Sequence, residues 1–318
     1  MQKTTLGRTG LEVSVAGLGC GGHSRLGQGT GASESQSIRL VEAAIDLGIT
    51  FIDTAQAYGT EEIVARGIRA KRDQVVLSTK AHIIQKGTSP LGDDLISADE
   101  FKQRVEASLK RLGTDYVDIL HLHGVLPDQY AHCAKELVPA LHDLRSEGKI
   151  RFLALSERFI YDTSHDMLKL ALPDDFFDVI MVGYNLINPS ARKVVLPLCD
   201  KNNIGVLCMF AVRRALSNRE ALKQLMAELA DEGIIDAAML DRDDPLGFLR
   251  EQGGAESVID GAYRFCRHTP NIHVVLTGTG SIEHLQQNIA SINREALKPE
   301  CLEQLEAIFG DVESVSGE

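Results

Sequence analysis

SADEFKQRVEASLKRLGTDYVDILHLHG (97–124) holds one complete helix-to-strand unit. Ser97 and Glu100 have capping-box spacing, in which a hydroxyl and a carboxylate three residues on satisfy free backbone N–H groups reciprocally. The helix runs to Gly113, which supplies a left-handed stop. VDILHLH (117–123) is then nearly continuously apolar, as a strand buried on both faces of a parallel sheet is.

The same unit recurs along the chain. Strand-like runs stand at VSVAGLG (13–19), TFIDTA (50–55), VVLSTK (75–80), RFLALS (151–156), VIMVGY (179–184), GVLCMF (205–210) and HVVLTG (273–278). Further helix starts are read at Ser33 with Gln36, at Ser217 with Glu220, and at Ser281. The first of these helices stops at Gly48. Eight strands alternating with about eight helices predict an α/β fold, a (β/α)8 TIM barrel, with residues 1–318 as a single domain. LGRTGLEVS (6–14) reads as an N-terminal β-hairpin closing the barrel floor, and 298–310 as an extra C-terminal helix. The long segment 211–255 reads as a lid or binding loop.

Composition narrows the function. The 318 residues are 44% hydrophobic and 25% charged, as in a globular protein, and carry a net charge of −12. That acidic balance argues against nucleic-acid binding and against docking on an anionic membrane. No run is long and apolar enough for a signal peptide or a transmembrane helix, so the expectation is a cytoplasmic protein. The six cysteines form no CxxC pair and read as buried free thiols.

Barrel enzymes carry their chemistry at the C-terminal ends of the strands. There the sequence places Asp53, Lys80 and His123 on three neighbouring strands, with Tyr58 in the loop after the first of them. Neighbouring strands lie roughly 4.8 Å apart, so these four side chains can surround one point. A free tyrosine titrates near ~10 and is a poor acid at neutral pH. A lysine beside it favours the phenolate and lowers that value. Aspartate keeps the lysine charged, and histidine can hydrogen-bond a substrate oxygen. Such a set protonates a carbonyl oxygen, or deprotonates an alcohol in reverse.

FIDTAQAYG (51–59), Lys80 in VVLSTK and DYVDILHLHG (115–124) resemble the aldo-keto reductase superfamily. The resemblance continues through GKIRFLALS (148–156), VGYNLIN (182–188), TGTGSIEHLQQN (277–288) and the opening LGRTGLEVSVAGLGCGG. It implies an NAD(P)-dependent oxidoreductase in which Tyr58 is the general acid, Lys80 and Asp53 tune it, and His123 positions the carbonyl. The implied cofactor positions depart from the family pattern. Ser156 stands where expected, but Glu157 replaces an asparagine, Met181 a glutamine and Met209 a stacking aromatic. Thr279 and Ser281 occupy the stretch near the adenosine phosphate, His284 sits where an arginine is common, and Asn288 fits the adenine-contacting asparagine. With fixed cations missing there, the reading leans to NAD over NADP. Arg213 and Arg214 are candidates for the pyrophosphate.

Other readings fit less well. GLGCGG (17–22) matches GxGxxG, but no helix opens directly after it and Asp53 comes too late for the ribose acid. Its glycines read instead as a backbone turn beside substrate or cofactor. His121 and His123 lie two apart on a strand and could bind zinc with Asp53. That would leave Tyr58 and Lys80 idle, so His121 reads as a hydrogen-bonded barrel-interior residue. His82 and five other histidines belong to no constellation, and His23 in the first loop is a candidate for substrate contact. A nicotinamide-binding redox-sensing or regulatory subunit with little turnover is the alternative function. Phe159, Tyr161 and Tyr184 are candidates for an apolar wall. The expected partner is a small carbonyl compound or a sugar.

Overall fold

The computed structural model describes residues 1–318. Ten strands form: β1 (Lys3–Thr5), β2 (Glu12–Ser14), β3 (Ala16–Gly19), β4 (Phe51–Asp53), β5 (Val76–His82), β6 (Val117–Val125), β7 (Ile150–Glu157), β8 (Val179–Gly183), β9 (Gly205–Met209) and β10 (Val274–Thr277). The last eight close a parallel barrel in the order β10-β3-β4-β5-β6-β7-β8-β9. β1 and β2 pair antiparallel as a separate hairpin. The run read as one strand over 13–19 therefore splits at Val15: its first half belongs to the floor hairpin and its second to the barrel.

The alternation of side chains along each strand builds two apolar shells. Leu6, Val13, Phe51, Ile119, Ala154, Val179, Met181, Leu207 and Val274 form an inner cluster, with the hairpin residues Leu6 and Val13 plugging the barrel floor. The outward-facing set, including Ile52, Leu77 and Leu120, joins the helices in the outer core. A step of two from the inner cluster therefore carries Phe51 to Asp53 and Ile119 to His121 and His123, all facing inward. Gly7 makes the plug possible: its φ is +48°, and a Cβ there would lie 2.4 Å from the Gly205 nitrogen.

The helices begin and end largely where the capping residues indicate. Ser33 and Gln36 form a complete capping box on Glu34–Asp46. Ser97 caps Ala98–Leu112, with left-handed Gly113 at its end. Ser281 caps Ile282–Asn293, and the C-terminal helix is Pro299–Phe309. The reading at Ser217 is corrected: Asn218 caps Arg219–Asp231, its side chain accepting from the Ala221 N–H. Segment 211–255 is mostly helical rather than an open loop, and Leu222, Met226 and Leu229 anchor it in the outer core. All six cysteines are buried free thiols. No helix is long and apolar enough to cross a membrane.

Gly183 at the end of β8 tests the packing of the barrel mouth. A Cβ there would meet Phe159 Cγ at 2.1 Å. Phe159 is 1% exposed, stacked on His165 and edge-on to Phe210, so it has nowhere to move. Gly183→Ala is expected to lower stability by about 1–3 kcal/mol, the usual range for overpacking, read from the urea midpoint. An unchanged midpoint would show that the ring yields.

Candidate active site

Asp53, at the end of β4, and Lys80, on β5, are 3% and 1% exposed, so neither charge has bulk water to rely on. They pair directly. Ser78 Oγ donates to Asp53 Oδ1 at 2.9 Å, and Lys80 Nζ also donates to the Thr54 carbonyl at 3.0 Å. The ammonium then lies 5.0 Å from the Tyr58 ring centroid.

Tyr58 sits on the 3-10 turn Gln56–Tyr58, ended by left-handed Gly59. Thr60 ties this loop to the first one, its Oγ1 donating to the Cys20 carbonyl at 3.2 Å. The ring rests on Gly21, where a Cβ would be 2.5 Å from Tyr58 Cε2. The glycines of GLGCGG thus serve close backbone approach to Tyr58 rather than a dinucleotide fingerprint. His123 faces the same ring edge-on, with centroids 5.6 Å apart. The four residues read from the strand ends meet around one point.

The electrostatics differ from the simple expectation for a tyrosine beside a lysine. Burial raises Tyr58 above its ordinary value; Lys80 pulls it down but does not win, and Asp53 pushes it further up. Tyr58 is therefore a neutral acid at pH 7. Burial works against the Lys80 ammonium, but Asp53 and Tyr58 outweigh it and Lys80 is raised. Asp53 is raised by burial and pulled back by Lys80. His123 is held well below the usual histidine range, first by burial and then by neighbouring positive groups, so its imidazole is neutral.

Two histidines depart from the sequence reading. β5 runs on to His82, so His82 falls in the inward phase of Lys80 and stacks on His123 at 4.5 Å. The expected end of the strand at Lys80 hid this. His121 is in the barrel interior, but neither ring nitrogen has a hydrogen-bond partner. Nor does it join a metal site: no cluster of three or more His, Cys, Asp or Glu side chains is arranged to hold an ion.

The cofactor candidates lie along the ends of β7 to β10 rather than around one point. Ser156 is buried, its hydroxyl 3.4 Å from the Glu157 carbonyl. The Glu157 carboxylate is already engaged: it accepts from Gly183 N–H at 2.6 Å and meets His165 Nδ1 at 2.9 Å. Met181 is packed into the inner cluster instead of standing open at the mouth, and Met209 packs on that cluster's edge. Arg213 pairs with Glu318 and stacks 4.1 Å over Phe210, while a Cβ at Gly22 would come within 3.3 Å of its Nη1. Arg214 is exposed at the start of the short helix Arg214–Ser217. Thr279 Oγ1 accepts from Ser281 N–H at 3.1 Å. Asn288 Nδ2 donates to Thr277 Oγ1 at 2.8 Å, and His284 is exposed in the first turn of the same helix. Tyr184 is no wall of this mouth: it stacks on Phe265 and meets Thr269 in the outer layer.

The depressed histidines make acid lability a consequence of the site. Burial lowers His121 well below its ordinary value. The unfolded chain takes up that proton near pH ~6.5, while the folded chain does not. Stability is thus complete above that pH and falls as pH drops below it, by at most about 1.4 kcal/mol per pH unit for His121. His121→Gln is expected to flatten the fall in melting temperature between pH 7 and 5. Identical slopes in the two proteins would contradict this.

Comparisons with known proteins bear on the family and the fold. The family model described as "Aldo/keto reductase family" matches residues 18–309. The chain is 35% identical over 221 residues to the aldo-keto reductase YhdN of Bacillus subtilis (strain 168), covering 68% of this chain and 63% of that protein. It is 32% identical over 219 residues to the NADH-specific methylglyoxal reductase of Escherichia coli (strain K12), covering 65% and 66%. Among solved structures it resembles an aldo/keto reductase from Klebsiella pneumoniae in complex with NADP and acetate, with a TM-score of 0.66, 25% identity, and coverage of 99% and 98%.

Proposed function

The chain belongs to the aldo/keto reductase family, and from that premise we propose that its single barrel domain is an NAD(P)-dependent oxidoreductase. It interconverts the carbonyl and alcohol of a small aldehyde, ketone or sugar, with Tyr58 as proton donor. The observation that carries this reading is the buried Lys80 ammonium, held between Asp53 and the Tyr58 ring.

A reduced nicotinamide, when bound, would supply the hydride for the carbonyl carbon. The chain supplies the proton and the orientation. Neutral His123 makes no hydrogen bond through Nε2 within the chain, which leaves that nitrogen to donate to the carbonyl oxygen. Tyr58 gives its hydroxyl proton to the same oxygen as charge develops there. Lys80 then faces the phenolate left behind, and Asp53 keeps Lys80 charged throughout.

The residues present fit a dinucleotide. The helix Ile282–Asn293 starts at the mouth and, with His284 N–H taken by the Ser281 cap, presents the Ile282 and Glu283 N–H groups, a seat for a phosphate. Arg213 reaches across to Gly22 with a cation for the pyrophosphate. Ser156 and Asn288 are the polar groups for the carboxamide and adenine ends. Glu157, engaged with His165 and Gly183, acts as a brace for the wall rather than as a free acceptor. Thr279 and Ser281 bring no charge, and this favours NADH over NADPH. Relatives on either side of that choice exist, one named NADH-specific and one solved with NADP.

The direct test is fluorescence titration with NADH and NADPH, followed by steady-state reduction of small aldehydes. Micromolar binding and turnover are expected. Binding without turnover would turn the reading to a sensing subunit, and no binding would overturn it. Reduction needs protonated Tyr58, so activity falls as pH rises past its value. Lys80→Met removes the cation that opposes burial, so it is expected to slow reduction and to move the alkaline limb of kcat/KM to higher pH. An unmoved limb would show that Lys80 does not act on Tyr58.

A further inference from the structure

Arg158 is a half-buried cation with no counter-ion. The half-buried arginines Arg72, Arg104, Arg111 and Arg213 each pair with a carboxylate, and Arg267, which has none, spends one Nη on the Gln2 side chain far from the mouth. Arg158, directly after β7, has no carboxylate within 4.0 Å. It is nevertheless held in place. Nε donates to the Gly124 carbonyl at 3.0 Å, and a Cβ at Gly124 would lie 3.1 Å from Nη2. The Arg158 backbone is fixed as well, its carbonyl accepting from the N–H groups of Tyr161 and Asp162 at 2.9 and 3.1 Å.

Gly124 is the residue after His123, at the irregularity where β6 shifts register against β7. The guanidinium therefore sits at the rim of the mouth beside His123. Its charge is felt at both His82 and His123, where it adds to burial in keeping the two imidazoles neutral. Partial burial of a cation costs free energy unless a partner offsets it. With Nε committed to Gly124, the two Nη groups make no hydrogen bond in the chain and present a planar fork suited to a carboxylate. In the turn that follows Arg158, Ile160 is 46% exposed and Tyr161 60%.

We propose that Arg158 is a specificity-determining residue that binds a carboxylate on the substrate, so that the preferred carbonyl compounds are aldehydes or ketones bearing a carboxylate. This rests on the reading of Tyr58 and His123 as the carbonyl-reducing centre.

The test compares 4-carboxybenzaldehyde with the neutral 4-methylbenzaldehyde in the wild type, Arg158→Met and Arg158→Gln. A charge-assisted hydrogen bond predicts that wild-type kcat/KM favours the carboxylate by about 10- to 100-fold, mainly through KM. Both variants are expected to bring the ratio close to one, with a far larger loss on the carboxylate than on the neutral aldehyde. The same ratio in all three proteins, or an equal loss on both aldehydes, would overturn the proposal and leave Arg158 as a brace for Gly124. Calorimetric titration of the two aldehydes into the protein saturated with NAD+ separates the proposals. Tighter binding of the carboxylate by the wild type alone supports Arg158 even if no aldehyde turns over, a result that would count only against the reductase reading. Equal affinities would remove Arg158 from recognition whatever the turnover.

Discussion

The ammonium of Lys80 has lost its water, and Asp53 is what holds it charged. Removing one partner of such a pair typically costs about 3–5 kcal/mol, because the other charge is left buried alone. The barrel must therefore deliver both side chains together. It does so by register: Asp53 stands opposite Ser78 across β4 and β5, and Ser78 is two residues from Lys80 on the same inward phase. Ser78 takes one Asp53 oxygen and Lys80 the other. Tyr58 is then the only member of the group supplied by a loop. That loop is pinned by Thr60 and by the flat backbone of Gly21.

The opposite side of the mouth is built differently. There the polar groups largely satisfy one another: Glu157 with His165 and Gly183, Asn188 with the backbone of Val315, Asn185 with that of Ser316. Low dielectric makes such satisfied networks rigid, so they shape a wall more than they offer free contacts. Arg213 is the exception, since its partner Glu318 is exposed. An anion entering the mouth competes with one surface carboxylate, not with a buried pair.

The fold was legible because its signals are local and repeated. Capping residues such as Ser33 and Ser97 marked helix starts, and two-sided apolar runs marked the strands. The four central residues were legible because strand ends in a closed parallel barrel converge. The sequence misled where neighbours in space decide. β5 continues beyond Lys80 into AH, which no apolar pattern signals, and so His82 was missed as the partner of His123. The sign of the Tyr58 shift depends on burial outweighing one lysine, which needs coordinates. Met181 and Glu157 replace the residues a family pattern expects at their positions, and their contacts belong to the inner cluster and to His165. Arg158 carried no signal at all, because its lack of a carboxylate can be seen only when every neighbour is placed.

The measurement that bears most directly on the account is Tyr58→Phe, assayed in parallel for cofactor affinity and for aldehyde reduction. The phenylalanine ring keeps the contact with Gly21 and loses only the hydroxyl. Reduction is expected to fall by about 10²–10⁴-fold, the range for a lost general acid, while the affinity for NADH and NADPH stays within a few-fold of wild type. Undiminished reduction would show that the proton comes from elsewhere and that the Asp53–Lys80–Tyr58 arrangement is structural.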